Sequence, residues 1–130
     1  MSYVPQRPAR GEQLPLRQLN VHVNCWGQPA PGSVPLVLVH GWMDVGASYQ
    51  FMVDALSADF ADRRLIIAPD WRGFGQTTLA APCDHYVFAD YLGDLDALID
   101  HYAPDGQPVD LLGHSMGGNV VMQYAGARPT

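Results

Sequence analysis

The stretch Gly113-His114-Ser115-Met116-Gly117-Gly118 decides the reading of this chain. It has the form G-x-S-x-G. It follows a short apolar run, 109–112 (VDLL), and precedes Val120, Val121, Tyr124 and Ala125, which repeat at helical spacing and predict a helix ending near Arg128-Pro129. Strand, tight turn and helix form the setting in which a serine can stand exposed at the top of a sheet. The glycines have a steric reason. So tight a turn leaves no room for Cβ atoms at Gly113 and Gly117. The serine between them is expected in a strained backbone conformation, of the kind that gathers at functional sites. Its position at a helix N-terminus offers free N–H groups and a partial positive charge to a developing oxyanion.

Two more apolar runs lie upstream, 35–39 (PLVLV) and 65–68 (LIIA), both without alternation. Strands buried on both faces read this way. Met52, Ala55, Leu56 and Phe60 predict a helix between them. Phe88, Tyr91, Leu92, Leu95 and Ile99 predict another, with Asp94, Asp96 and Asp100 on a solvated face. Leu19, Val21, Val23 and Cys25 alternate with Asn20, His22 and Asn24, which predicts a half-buried strand. Residues 27–33 (GQPAPGS) form a turn cluster, and the Pro-rich residues 1–16 read as an irregular lead-in. The alternation of strands and helices means a mostly parallel α/β sheet with helices on both faces, in one domain over residues 17–130. In such sheets chemistry gathers at the carboxyl ends of the strands.

Two further motifs sit at those ends. Val39-His40-Gly41-Trp42 ends one buried strand, and Asp70-Trp71-Arg72-Gly73-Phe74-Gly75 ends another. Gly41 lets backbone approach a substrate carbonyl closely. Asp44 is expected to brace the loop after Trp42. Asp70 and Arg72 are expected to fix their own loop by hydrogen bonds or a mutual charge pair. Trp42, Trp71 and Phe74 are candidates for lining an apolar acyl pocket.

Composition excludes several classes. The 130 residues are 48% hydrophobic and 15% charged, a globular balance. Seven basic against thirteen acidic residues, net charge -6, with no Lys/Arg cluster, argue against nucleic acid. No apolar run approaches a membrane span, and the first ten residues lack a signal-like core, so a cytoplasmic location is expected. Cys25 and Cys83 read as free thiols, and the five histidines lack metal-ligand spacing, so no metal is expected.

The motifs HGWMD at 40–44, DWRGFG at 70–75 and GHSMGG at 113–118, in this order, resemble the α/β-hydrolase superfamily, and within it the esterase, lipase and serine-hydrolase-like members. The resemblance runs from about residue 17 to 130. It implies a Ser–His–acid triad and no cofactor. It assigns Ser115 as nucleophile and the backbone N–H groups of Trp42 and Met116 as oxyanion donors. His40, Gly41, Gly113, His114 and Gly117 are the supporting loop and turn residues. A serine here is unlike the dehalogenase and epoxide-hydrolase relatives, which carry Asp.

In this family the triad acid and His follow the nucleophile. Residues 116–130 contain no Asp, Glu or His. The chain therefore resembles the N-terminal half of such a fold, cut after the nucleophile turn and its helix. The upstream His22, His85, His101, Asp94, Asp96 and Asp100 do not have the position a triad demands. The strand at 109–112 is expected to be an open apolar edge that invites self-association, and the isolated chain to be marginally stable. Three functions stay open. One is a serine hydrolase of a small-molecule ester or related acyl bond. A second is a non-catalytic fragment or binding module. The third is an acyltransferase or cofactor-free perhydrolase using the same nucleophile.

Overall fold

A computed structural model of the chain describes residues 2–80 and 86–128. Its centre is three parallel strands: β3 (Leu36–Val39), β4 (Ile66–Pro69) and β6 (Asp110–Gly113). Before them come β1 (Arg10–Leu16) and β2 (Leu19–Trp26), an antiparallel pair, and β2 joins β4 antiparallel. The order across the sheet is β1-β2-β4-β3-β6, with the short β5 (Thr78–Leu79) pairing to β2. The expected α/β class with helices on both faces is the fold observed, its central strands parallel as expected and β1, β2 and β5 joined to them antiparallel.

The unbroken apolar runs of β3 and β4 supply both sides of the sheet. Val37, Val39 and Ile67 face a core shared with Tyr91, Leu95 and Leu98 of α3 (Phe88–Tyr102) and Val120 of α4 (Met116–Ala127). Leu36, Leu38, Ile66 and Ala68 face the other side, against Val53 of α1 (Gln50–Ala55) and Ala61 of α2 (Ala58–Ala61). Each buried Val, Leu or Ile contributes about 1.5–3 kcal/mol of apolar burial, so these two layers carry the fold. Among the described residues no helix is long and apolar enough to cross a membrane.

Several expectations are corrected. The lead-in is not irregular to residue 16, since Arg10–Leu16 pairs with β2 from Cys25 back to Leu19. Only residues 2–9 lack regular structure, and they clasp α1 through Asp54, which accepts from the Tyr3 hydroxyl and the Gln6 and Arg7 amides. Strand β2 is covered on both sides rather than half-buried. His22 bonds Gln13 at 2.7 Å and Asn24 donates to the Ala68 carbonyl at 3.2 Å, so both polar residues are satisfied under cover. The helix expected over 52–60 is two helices. Ser57 takes extended backbone and accepts from the Phe60 amide as an N-cap, which ends one helix and starts the next. Helix α4 runs to Ala127, while Cys83, His85 and Pro129 lie outside the described residues.

Strand β6 is one edge of the sheet among the described residues, opposite β1, and it pairs on one side only, with β3. Leu112 is 39% exposed there. A groove runs beside this edge, lined by Val109, Leu111, Tyr124 and Arg128.

Candidate active site

The last residue of β6 is Gly113, and the first of α4 is Met116. Two residues connect them. Ser115 holds φ 57° and ψ -119°, a left-handed setting that side chains rarely adopt. A strained serine of this kind costs roughly 1–3 kcal/mol and persists only where its surroundings enforce it. The enforcement is visible. The His114 amide donates to the Val39 carbonyl at 3.2 Å, and the Gly117 amide donates to the His114 carbonyl at 3.0 Å.

The glycines are required by space. A Cβ on Gly113 would run into the backbone of Gly117 and Gly118, and one on Gly117 into the carbonyls of Val39 and His40. One on Gly41 would stand 2.9 Å from Ser115 Cβ and 3.1 Å from the His114 carbonyl. So the HGW loop and the serine turn touch, and three glycines make the approach possible.

The Ser115 side chain is exposed, and among the described residues no side chain hydrogen-bonds to its hydroxyl. The Trp42 and Met116 amides donate to no acceptor among the described residues. For Met116 this follows from its place in the first turn of α4, whose N–H groups have no intrahelical partner. Two unspent donors and an exposed hydroxyl therefore lie around one turn.

The loops that frame this turn are stitched together. Asp70, 3% exposed, accepts from the Gly46 amide at 2.8 Å and the Gln76 amide at 2.9 Å. His40, 1% exposed, accepts the Trp71 amide at its Nε2, 3.0 Å away. The Trp71 indole donates to the His40 carbonyl at 2.9 Å. Asp44 braces its loop as expected, accepting from the Val45 amide and the Ser48 hydroxyl. The Ser48 bond holds the Asp44 carboxyl below its usual range. The Tyr49 hydroxyl donates to the Val39 carbonyl at 2.8 Å, and burial pushes this phenol up to about 12.

Here too the sequence reading needs correction. Of the two expected ways of fixing the loop, Asp70 uses hydrogen bonds to backbone amides, and among the described residues no charge pair joins it to Arg72. Arg72 forks onto Asp94, with Nε at 2.8 Å and Nη2 at 2.9 Å, and Arg17 joins at 2.8 Å. Asp94, expected on a solvated face, is 7% exposed, because the loop after β4 and the β1–β2 turn close over α3. Asp96 is also occupied, accepting from Tyr124 at 2.8 Å and Arg128 at 3.0 Å. Trp71 is turned inward, beside a small cavity it shares with Val21 and Leu98, and away from the open side. It is 2% exposed and packs edge-on to Tyr91. Trp42 is 61% exposed and meets Phe74 edge-to-face at 5.3 Å, so these two rings alone of the three face the open side. His114 is exposed, and its backbone rather than its ring ties the turn.

No residue spacing announced the Arg72–Asp94–Arg17 cluster, which joins three elements distant in sequence. Nor could spacing reveal that His40 bonds through both ring nitrogens.

Comparison with known proteins gives a consistent picture. Residues 34–130 match the family described as alpha/beta hydrolase fold. The chain is 32% identical over 104 residues to the probable oxidoreductase EphD of Mycobacterium tuberculosis, covering 80% of this chain and 17% of that protein. It is 27% identical over 124 residues to a serine hydrolase-like protein of Danio rerio, covering 95% of this chain and 36% of that one. The solved structure of epoxide hydrolase I from potato (Solanum tuberosum) superposes with a TM-score of 0.80 at 23% identity, over 93% of this chain and 36% of that one. The chain thus spans about a third or less of the length of these relatives.

Proposed function

This chain belongs to the α/β-hydrolase superfamily, and from that premise we propose that the whole protein is a serine hydrolase acting on a carboxylic ester or related acyl bond. The observation that carries the reading is Ser115 itself, held at φ 57° at the head of α4 with its hydroxyl exposed. In this reading Ser115 Oγ attacks the acyl carbon while a base takes its proton. The carbonyl oxygen becomes an oxyanion held by the Trp42 and Met116 N–H groups. The alcohol leaves with the proton, and water then hydrolyses the acyl-serine. The exposed Trp42 ring, edge-to-face with the half-buried Phe74, favours an apolar acyl group.

Serine chemistry also separates this reading from epoxide opening, the activity named for the potato protein. A serine that opened an epoxide would form an ether, which water does not readily cleave, and turnover would stop. An acyl-serine is cleaved readily, so a serine nucleophile suits acyl substrates.

The base is not one of residues 116–130, and His40 has both ring nitrogens engaged. A second reading follows from the same fact. With no partner on the Ser115 hydroxyl among the described residues, these 130 residues alone act as a non-catalytic module in this second reading, since a free serine hydroxyl is a weak nucleophile. The test is ester hydrolysis by the whole protein with Ser115 intact and as Ser115→Ala. Loss of turnover of several orders of magnitude is expected, and unchanged turnover overturns the assignment.

A further inference from the structure

We infer that His40 is the positioning residue for the Trp42 oxyanion donor, and that it acts only as the neutral imidazole with its proton on Nδ1. The role of Trp42 rests on the proposed function, whereas the coupling of His40 to the Trp42 peptide does not.

The tautomer follows from the partners. His40 Nδ1 lies 2.8 Å from the Gly41 carbonyl oxygen, which can only accept, so Nδ1 carries a proton. Nε2 receives the Trp71 N–H at 3.0 Å, so Nε2 presents a lone pair. One ring therefore bridges the loop after β3 and the loop after β4. The Gly41 carbonyl and the Trp42 N–H belong to the same peptide group. That group is planar and trans, with no cis peptide among the described residues, so its C=O and N–H point in opposite directions. Fixing the carbonyl with His40 fixes the direction of the Trp42 N–H.

The ring has little freedom. It is 1% exposed, with Phe74 edge-on at 5.4 Å and Trp71 at 6.3 Å, and the Trp71 indole holds the His40 carbonyl as well. The charged groups facing it are Asp70, from the loop after β4, and Asp44, from the loop after β3. Nearby titratable side chains are otherwise committed or turned outward. The Tyr49 hydroxyl is on Val39, Arg72 is on Asp94, and His114 is exposed on the serine turn. Burial holds His40 below the ordinary histidine range, against the pull of the Gly41 carbonyl and the two carboxylates. A second proton would have to sit on Nε2, facing the Trp71 N–H. Two donors cannot share that space, so either the Trp71 loop withdraws or the ring turns and releases Gly41. Both loosen the Trp42 donor.

The experiment is an NMR pH titration of the ¹⁵N-labelled protein, following the His40 ring nitrogens and the Trp42 and Trp71 amides. The expected result is a proton on Nδ1 at neutral pH. The two amides should shift together at one midpoint, below the ordinary histidine value of about 6.5. His40→Asn keeps an inner N–H for Gly41 but loses the acceptor for Trp71. It should leave the Trp42 amide near its parent position without pH dependence, and displace the Trp71 amide. A purely structural pin would, in the titration of the parent protein, move the Trp71 amide and leave the Trp42 amide without a shift. That result, or a proton found on Nε2, overturns the inference. If His40→Asn does not fold, the parent titration decides alone. Repeating the titration on Ser115→Ala keeps the readings apart. Should ester hydrolysis fail to depend on Ser115 while Trp42 still follows His40, the hydrolase reading falls and the coupling stands.

Discussion

Replacing Gly117 by alanine tests the packing on which the serine turn depends. In α4, alanine is intrinsically favoured over glycine by about 1 kcal/mol, so propensity alone predicts a gain. Space predicts the reverse. The added Cβ would collide with the Val39 carbonyl oxygen, and would sit 2.7 Å from the His40 oxygen and 2.8 Å from the Val39 carbonyl carbon. All three atoms are backbone of β3 and the residue after it, so no side chain can swing away. The helix must retreat by several tenths of an ångström, and overpacking of this sort costs typically about 1–3 kcal/mol. Gly126 lies in the same helix, and a Cβ there meets nothing within 4 Å. Gly126→Ala should therefore stabilise by about 0.5–1 kcal/mol, and the two variants should differ by about 1.5–4 kcal/mol. For a domain of this size that is a separation of roughly 10 °C in Tm. Urea unfolding followed by circular dichroism, with the slope unchanged, measures it. Equal stabilities, or a more stable Gly117→Ala, would refute the close approach of α4 to β3.

Three further outcomes follow from the same structure. Ser115→Gly should raise stability by about 1 kcal/mol, since glycine accepts φ 57° without strain, while removing the nucleophile; a drop in the urea midpoint would mean the turn is not strained. Asp94→Asn removes the carboxylate that Arg72 and Arg17 hold most closely, while Asp90 stays 3.8 and 3.9 Å from them, and should cost about 1.5–3 kcal/mol by the same assay. Because His40 is held below its ordinary value in the folded chain, the unfolded chain binds the extra proton first. Its contribution is complete above about pH 6.5 and is lost as pH falls toward the folded value. His40→Gln should flatten that part of the stability profile, leaving Asp44 to act only below about pH 4.

Legibility in the sequence followed the range of the interactions. The double-faced strands Leu36–Val39 and Ile66–Pro69 were readable because burial on both sides leaves an unbroken apolar run. The glycines around Ser115 were readable because backbone-to-backbone approach admits no other residue. Strand Arg10–Leu16 was hidden, since it lies at the sheet edge with mostly exposed side chains and Pro15 within it. The burial of His22 and Asn24 was hidden for a related reason. Their alternation with apolar residues mimics a strand with one wet face, whereas the His22 ring lies against Gly11 and Gln13 of the hidden strand β1 and the Asn24 amide lies against Gly46 and Ala68. Asp94 shows the same limit. Its helical spacing places it among polar positions, and its partners Arg72 and Arg17 come from 22 and 77 residues away.

The most direct test of the central claim is covalent. The whole protein is treated with a serine-directed fluorophosphonate and the modified residue is located by mass spectrometry. The expected result is stoichiometric labelling of Ser115, abolished in Ser115→Ala and slowed by orders of magnitude in the isolated 130 residues, where no base stands beside the Ser115 hydroxyl among the described residues. An unlabelled Ser115 in a folded, complete protein, or equal labelling of the Ser115→Ala variant, would contradict its assignment as the nucleophile.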